Sequence, residues 1–176
     1  MRYLCRYICI TLIIFLSSFS ATASESTSKD TSPEVGKHAP TFELKDVNGR
    51  TVTLAEYTGK VILLNFWATF CDPCKAEMPS LNKLYAAFKA EGFLVLAVSI
   101  DTSESPVRSF LSAKGINFPV LMDRDREVYF DDYAGLGLPI SFLIDKNGVI
   151  VEKFIGPREW DSTDIKNKVL KLLGKI

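Results

Sequence analysis

Cys71 and Cys74 stand two residues apart, with Asp72 and Pro73 between them. Sulfurs at that spacing can join and part again, so the pair can hold or release two electrons as disulfide or dithiol. Such exchange needs one sulfur that is readily a thiolate and a second close enough to displace it from a mixed disulfide. Before the pair, Val61-Ile62-Leu63-Leu64-Asn65-Phe66 within 60–66 is a nearly continuous apolar run, which predicts a strand covered on both faces. After it, Pro73 suits a first helical turn, Met78, Leu81, Leu84, Tyr85 and Phe88 recur at helical spacing, and Gly92 ends the run. A strand that turns into a helix at the cysteines puts Cys71 at the helix N-terminus, where free N–H groups and the helix dipole favour a thiolate. Cys71 is then the nucleophile and Cys74, one turn further in, the resolving thiol.

Neighbouring residues suggest how the pair is served. Cys74 must lose a proton before it attacks, and Glu77, three residues on, shares its face of the helix and is a candidate acceptor. A solvated helix acid is the plainer reading of Glu77. Trp67 reads as a packing residue that walls the site and is assigned to substrate contact there, Lys75 as a solvated cation, and Asp72 as a like charge that raises the Cys71 pKa. Structural zinc takes four ligands, and apart from Cys71, Cys74 and His38 the chain beyond its first 23 residues offers no Cys or His. A Cu(I) carrier using both thiolates, helped by Met78, is the alternative function, although a third ligand is not evident. His38 lies in a predicted loop.

The elements that must position this chemistry belong to one domain. The 176 residues are 47% hydrophobic and 24% charged with both signs equal, which fits a single core and gives no basic footprint for nucleic acid. Residues 1–23 read as an export signal: Arg2 and Arg6, the apolar run Ile8 to Leu16, then Ala21-Thr22-Ala23. The run is short for a spanning helix, so cleavage is favoured over an uncleaved anchor, and neither Cys5 nor Cys9 sits where a lipid would be attached. Without that segment the cysteines are Cys71 and Cys74 alone, so an exported chain has no disulfide framework other than what those two can form. Residues 24–34 are Ser/Thr-rich and predict a flexible leader, with the folded domain over 35–176. Within it, 41–44 and 51–54 around Asn48-Gly49 predict a hairpin, 93–100 a buried strand, 104–114 a helix closed by Gly115, and 118–122 a short strand. A weak helical turn at 127–133, a hairpin of 141–144 with 149–155, and an amphipathic helix over 161–173 complete an α/β mixed sheet flanked by helices.

The segment Asn65-Phe66-Trp67-Ala68-Thr69-Phe70-Cys71-Asp72-Pro73-Cys74-Lys75-Ala76-Glu77-Met78-Pro79 resembles the active-site segment of TlpA/ResA-type thioredoxin-like proteins of the AhpC/TSA-redoxin superfamily. The likeness takes in Gly36-Lys37-His38-Ala39-Pro40, Gly137-Leu138-Pro139 and Gly156-Pro157-Arg158-Glu159-Trp160, and so covers 35–173. It implies a thioredoxin fold with an added N-terminal β-hairpin and a central insertion. It also makes Pro139 a cis proline beside the disulfide, Leu138 a substrate contact, and Glu77 the acid of the motif. Three departures stand out: Phe70 where Trp commonly precedes the first Cys, Ile140 after the proline, which implies a more apolar substrate groove, and Asn65 where cytoplasmic thioredoxins bury an acid.

With Asp72 beside it and no His between the cysteines, the Cys71 thiolate is weakly stabilised, which lowers the reduction potential and favours a reductase of protein disulfides. No GxGxxG motif for a nicotinamide or flavin cofactor is present, so electrons must come from another thiol protein. The resemblance implies a membrane thiol reductase as donor, and apocytochrome c or metal-site cysteines as substrates, in the periplasm or another extracytoplasmic space. Membrane contact is expected only if the signal stays uncleaved. A peroxiredoxin would need Pro and Thr or Ser at the positions held by Leu64 and Ala68.

Overall fold

The computed structural model describes residues 33–176. The expected export signal over 1–23, and all of the expected leader over 24–34 except its last two residues, lie outside the described residues.

Two seven-residue strands, β3 (Val61–Trp67) and β4 (Phe93–Ser99), are buried along their whole length and run parallel, with Val61 opposite Phe93 and Trp67 opposite Ser99. Side chains alternate between faces along a strand. Val61, Leu63 and Trp67 therefore join one core with Phe93, Val95 and Ala97, while Ile62, Leu64 and Phe66 join another with Leu94, Leu96 and Val98. Around this pair stand β1 (Glu43–Asp46), β2 (Thr51–Thr53), β5 (Val120–Met122), β6 (Ile140–Ile144) and β7 (Ile150–Ile155), in the sheet order β2-β1-β5-β4-β3-β6-β7. β1 pairs antiparallel with β2 and β5, β5 parallel with β4, and β6 antiparallel with β3 and β7. The sheet is mixed, as expected.

Helices α1 (Asp72–Phe88), α2 (Glu104–Lys114) and α3 (Thr163–Leu173) all reach the same core, through Met78, Leu81 and Leu84, Val107, and Ile165, Val169 and Leu173. The opposite face is covered instead by Ala39, Phe42, Val52 and Leu54 and by the aromatic turn carrying Tyr129 and Tyr133. α2 has the bounds that the sequence predicts because its stop is local: Gly115 takes the left-handed conformation, φ 60°, and its N–H closes on the Leu111 and Ser112 carbonyls. β5 is shorter than the predicted 118–122, since Pro119 has no N–H for a ladder and supplies only its carbonyl, to Ala97 N. The weak helical segment is a single wide turn, Val128–Asp132, closed by Tyr133 N–H on the Val128 carbonyl at 3.0 Å.

Candidate active site

β3 ends at Trp67 and α1 begins at Asp72, so Cys71 occupies the residue that caps the helix. Its φ and ψ of −96° and 99° are extended, and Pro73 in the first turn needs no hydrogen-bond acceptor there. The Cys74 N–H donates to Cys71 Sγ at 3.2 Å. The capping position thus aims a backbone donor at the sulfur that sequence reasoning makes the nucleophile. Cys71 is half-buried, Cys74 is fully buried, and the two are joined as a disulfide. Lys75, read as a solvated cation, places Nζ 2.7 Å from Asp72 Oδ1 at the surface. The hydrogen bond from Lys75 and its charge hold the Asp72 carboxyl below the usual carboxylate range. The negative charge beside Cys71 is therefore partly offset, a correction to the electrostatics read from Asp72 alone.

Glu77 is not a solvated acid: it is 4% exposed, on the face of α1 that meets β3. Oε1 accepts from Asn65 Nδ2 at 2.9 Å, and Oε2 from Arg158 N at 3.0 Å and Trp160 Nε1 at 2.9 Å. Burial raises its pKa, against the opposing pull of the Trp160, Arg158 and Asn65 hydrogen bonds and the Arg158 charge. Asn65 also donates to Ser141 Oγ at 2.9 Å across the β3–β6 pair. Ser80 completes the cluster, donating to the Glu77 carbonyl and accepting Trp160 N–H. The donors to the Glu77 carboxylate come from β3 and the segment after β7, and β6 supplies the acceptor Ser141. Sequence reasoning singled out Asn65 and the 156–160 segment but did not place either in contact with Glu77, and it missed Ser141 and Ser80.

A second buried acid, also missed, holds the loop between β3 and α1. Asp101 accepts from Thr69 N at 2.9 Å, Thr69 Oγ1 at 2.6 Å and Ser99 Oγ at 2.7 Å. Cys71 N–H then closes on the Ala68 carbonyl at 3.1 Å. The signal available was a polar Ser-Ile-Asp at the end of a buried strand, the usual place for loop-fixing or reactive side chains in α/β folds.

The Leu138–Pro139 peptide bond is cis. Phe66 pairs with Ile140, so Pro139 lies at the end of the sheet from which the Cys71 loop leaves, and its carbonyl accepts Gly156 N–H at 3.0 Å. Leu138 and Cys71 are both partly buried against both cores. The preceding loop is seated on Tyr129: a Cβ on buried Gly135 would fall inside that ring, and Gly135 N–H bonds the Tyr129 carbonyl. Two expectations fail here. Ile140 does not line a groove, because its place opposite Phe66 turns it into the core. Trp67, assigned to substrate contact, is fully buried beneath the site with its ring 5.4 Å from that of Phe110. Exposed apolar side chains include Phe70, Leu136 and Ile155, at 64%, 100% and 74%.

His38 forms an isolated bridge to Val149. Among the described residues no group of three or more His, Cys, Asp or Glu side chains could hold a metal ion. Among the described residues, too, no helix is long and apolar enough to cross a membrane.

Comparison with known proteins bears on the same residues. The model of the AhpC/TSA family matches residues 35–153. The thiol-disulfide oxidoreductase ResA of Bacillus thuringiensis (strain Al Hakam) is 40% identical over 123 residues, 70% of each chain. That of Bacillus subtilis (strain 168) is 41% identical over 121 residues, 69% of this chain and 67% of the relative. The crystal structure of the thioredoxin domain of a thiol-disulfide oxidoreductase from Bacteroides vulgatus superimposes with a TM-score of 0.70 at 30% identity, covering 80% of this chain and 98% of the other.

Proposed function

The chain belongs to the AhpC/TSA family and is a thiol-disulfide oxidoreductase of the thioredoxin fold with a CxxC pair, and from that premise we propose that it works as a reductase of protein disulfides outside the cytoplasm. In this reading the Cys71 thiolate attacks a substrate disulfide, expelling one substrate thiolate and leaving Cys71 in a mixed disulfide. Cys74 then gives its proton to Glu77 and attacks Cys71 Sγ. The second substrate thiolate leaves, the Cys71–Cys74 disulfide forms, and two electrons have passed to the substrate. Leu138 and Pro139 lie beside the substrate segment. A membrane thiol reductase restores the dithiol, and an N-terminal signal over 1–23 exports the chain. Cysteines of an apocytochrome c or of a metal-site protein are the substrate class.

The observation that carries the direction of flow is the surroundings of Cys71 Sγ: one backbone N–H donates to it, and the lysine of the adjoining first helical turn, Lys75, is paired with Asp72. A thiolate so modestly stabilised makes the dithiol a good electron donor. Equilibration of the Cys71/Cys74 couple with defined thiol buffers tests this. A potential near that of thioredoxin, about −270 mV, is expected; one near that of strongly oxidising members, about −120 mV, would reverse the direction.

A further inference from the structure

Glu77 Oε2 faces two groups that can only donate, Arg158 N–H and the Trp160 indole N–H. A hydrogen placed on that oxygen would point into them, so a neutral Glu77 must carry its hydrogen on Oε1. Oε1 faces Asn65 Nδ2, again a donor, at 2.9 Å. The cluster as it stands therefore suits the carboxylate and gives the carboxylic acid nothing to donate to. The missing acceptor is on the same amide. Asn65 is fully buried, and its Oδ1 is one of only two buried side-chain polar atoms among the described residues without a partner. Half a turn about χ2 exchanges Oδ1 for Nδ2. Ser141 Oγ, which now accepts from Nδ2 at 2.9 Å, can follow because a hydroxyl both accepts and donates.

We propose that Asn65 is the positioning residue for the proton that Glu77 takes from Cys74: its amide turns over when Glu77 is protonated, so that Glu77 Oε1–H and Ser141 Oγ–H both donate to Asn65 Oδ1. This rests on the reading of Glu77 as proton acceptor. In the step, the Cys74 S–H bond breaks, the Glu77 Oε1–H bond forms, and Cys74 is left as a thiolate; no electrons change owner until it attacks Cys71 Sγ. The groups bearing on Glu77 are Trp160 and Arg158 from the segment after β7 and Asn65 from β3, which in turn meets Ser141 on β6; Arg158 is the charged one among them, and Cys74 stands three residues back on the same helix. An aspartate at 65 could not play this part, since it would compete for the proton and lack a donor for the carboxylate.

Carbon- and nitrogen-detected NMR of the oxidised full chain reads the coupling directly, through the Glu77 carboxyl carbon and the Asn65 side-chain NH2 across a pH series. Both should titrate with one midpoint, and the Asn65 NH2 should lose protection from solvent exchange on the acid side. Glu77→Gln supplies a locked state: its oxygen must face the two fixed donors, its NH2 must face Asn65, and the Asn65 signals should sit at the acid limit of the wild type at every pH. Asn65 signals that ignore the Glu77 titration, or that match the alkaline limit in Glu77→Gln, would overturn the proposal. Rapid-mixing kinetics separate its premise. Coupled titration together with undiminished resolution by Glu77→Gln would remove Glu77 as acceptor and with it the role given to Asn65, whereas slowed resolution with a static Asn65 would refute the turnover alone.

Discussion

Asp101→Ala should loosen the presentation of Cys71 from behind the site. The carboxylate is 7% exposed and takes three hydrogen bonds, two from Thr69 and one from Ser99. Hydrogen bonds to a charged group contribute about 1.5–3 kcal/mol each, but truncation also relieves the cost of keeping a carboxylate out of water, leaving a net loss of about 2–4 kcal/mol. Thr69 is two residues from Cys71, and Cys71 N–H bonds the Ala68 carbonyl, so slack at Thr69 reaches the Cys71 Sγ to Cys74 N contact. Urea unfolding of the oxidised protein measures the first effect. Alkylation of the reduced protein over a pH series measures the second, since buried Cys74 leaves Cys71 as the accessible thiol. The alkylation profile should move to higher pH. Asp101→Asn should fall between, because its oxygen can face Thr69 N–H and Ser99 while its NH2 meets a Thr69 hydroxyl able to accept. An Ala variant within about 0.5 kcal/mol of wild type, or Ala and Asn variants alike in both assays, would refute this account of the loop.

Cys74→Ser should accumulate mixed disulfides through Cys71, and Cys71→Ser should abolish turnover of a model disulfide; trapping through Cys74 in the latter would reverse the roles. Lys75→Ala should unmask the Asp72 charge and lower the reduction potential, by less than about tenfold in the exchange equilibrium for so exposed a pair, while Asp72→Asn should raise it; equal signs in thiol-buffer titrations would count against the electrostatics. Glu77→Gln should slow resolution on the order of 10²-fold near neutral pH with less effect on first attack, as rapid mixing would show. Because burial raises the Glu77 pKa, the folded protein holds that proton to higher pH than the unfolded chain. The wild type should therefore lose stability relative to Glu77→Gln as pH rises from about 4.5 through the folded pKa, by about 1.4 kcal/mol per unit of displacement. A difference that is flat with pH in parallel denaturant titrations would remove that linkage. Gly135→Ala should cost about 1–3 kcal/mol through the clash with Tyr129 and raise KM for protein disulfides more than it lowers kcat.

The legible parts of this molecule were those whose causes lie within a few residues. The apolar run of β3 and the helical spacing after Pro73 place Cys71 as a capping residue, and Gly115 marks the end of α2. The Asp72–Lys75 pair was also legible, being three residues apart on a helix, yet reading Lys75 as solvated overlooked that spacing. Ile140 and Trp67 failed for another reason. Ile140 was placed by its distance from Pro139, whereas the register of β6 on β3 decides which face it takes; Trp67 was placed by its distance from Cys71, whereas alternation along β3 turns it into the core beneath the helices.

The cysteine pair and the strand-to-helix turn that presents it were determined by the sequence alone, because capping and periodicity act within one helical turn. The setting of Glu77 was decided only by tertiary structure. Its partners Asn65, Arg158 and Trp160 lie 12, 81 and 83 residues away, and Asn65 meets Ser141 across 76. No local preference encodes such meetings. They exist because β6 pairs with β3, and the chain after β7 brings Arg158 and Trp160 onto α1, where a carboxylate enclosed by donors is buried instead of solvated.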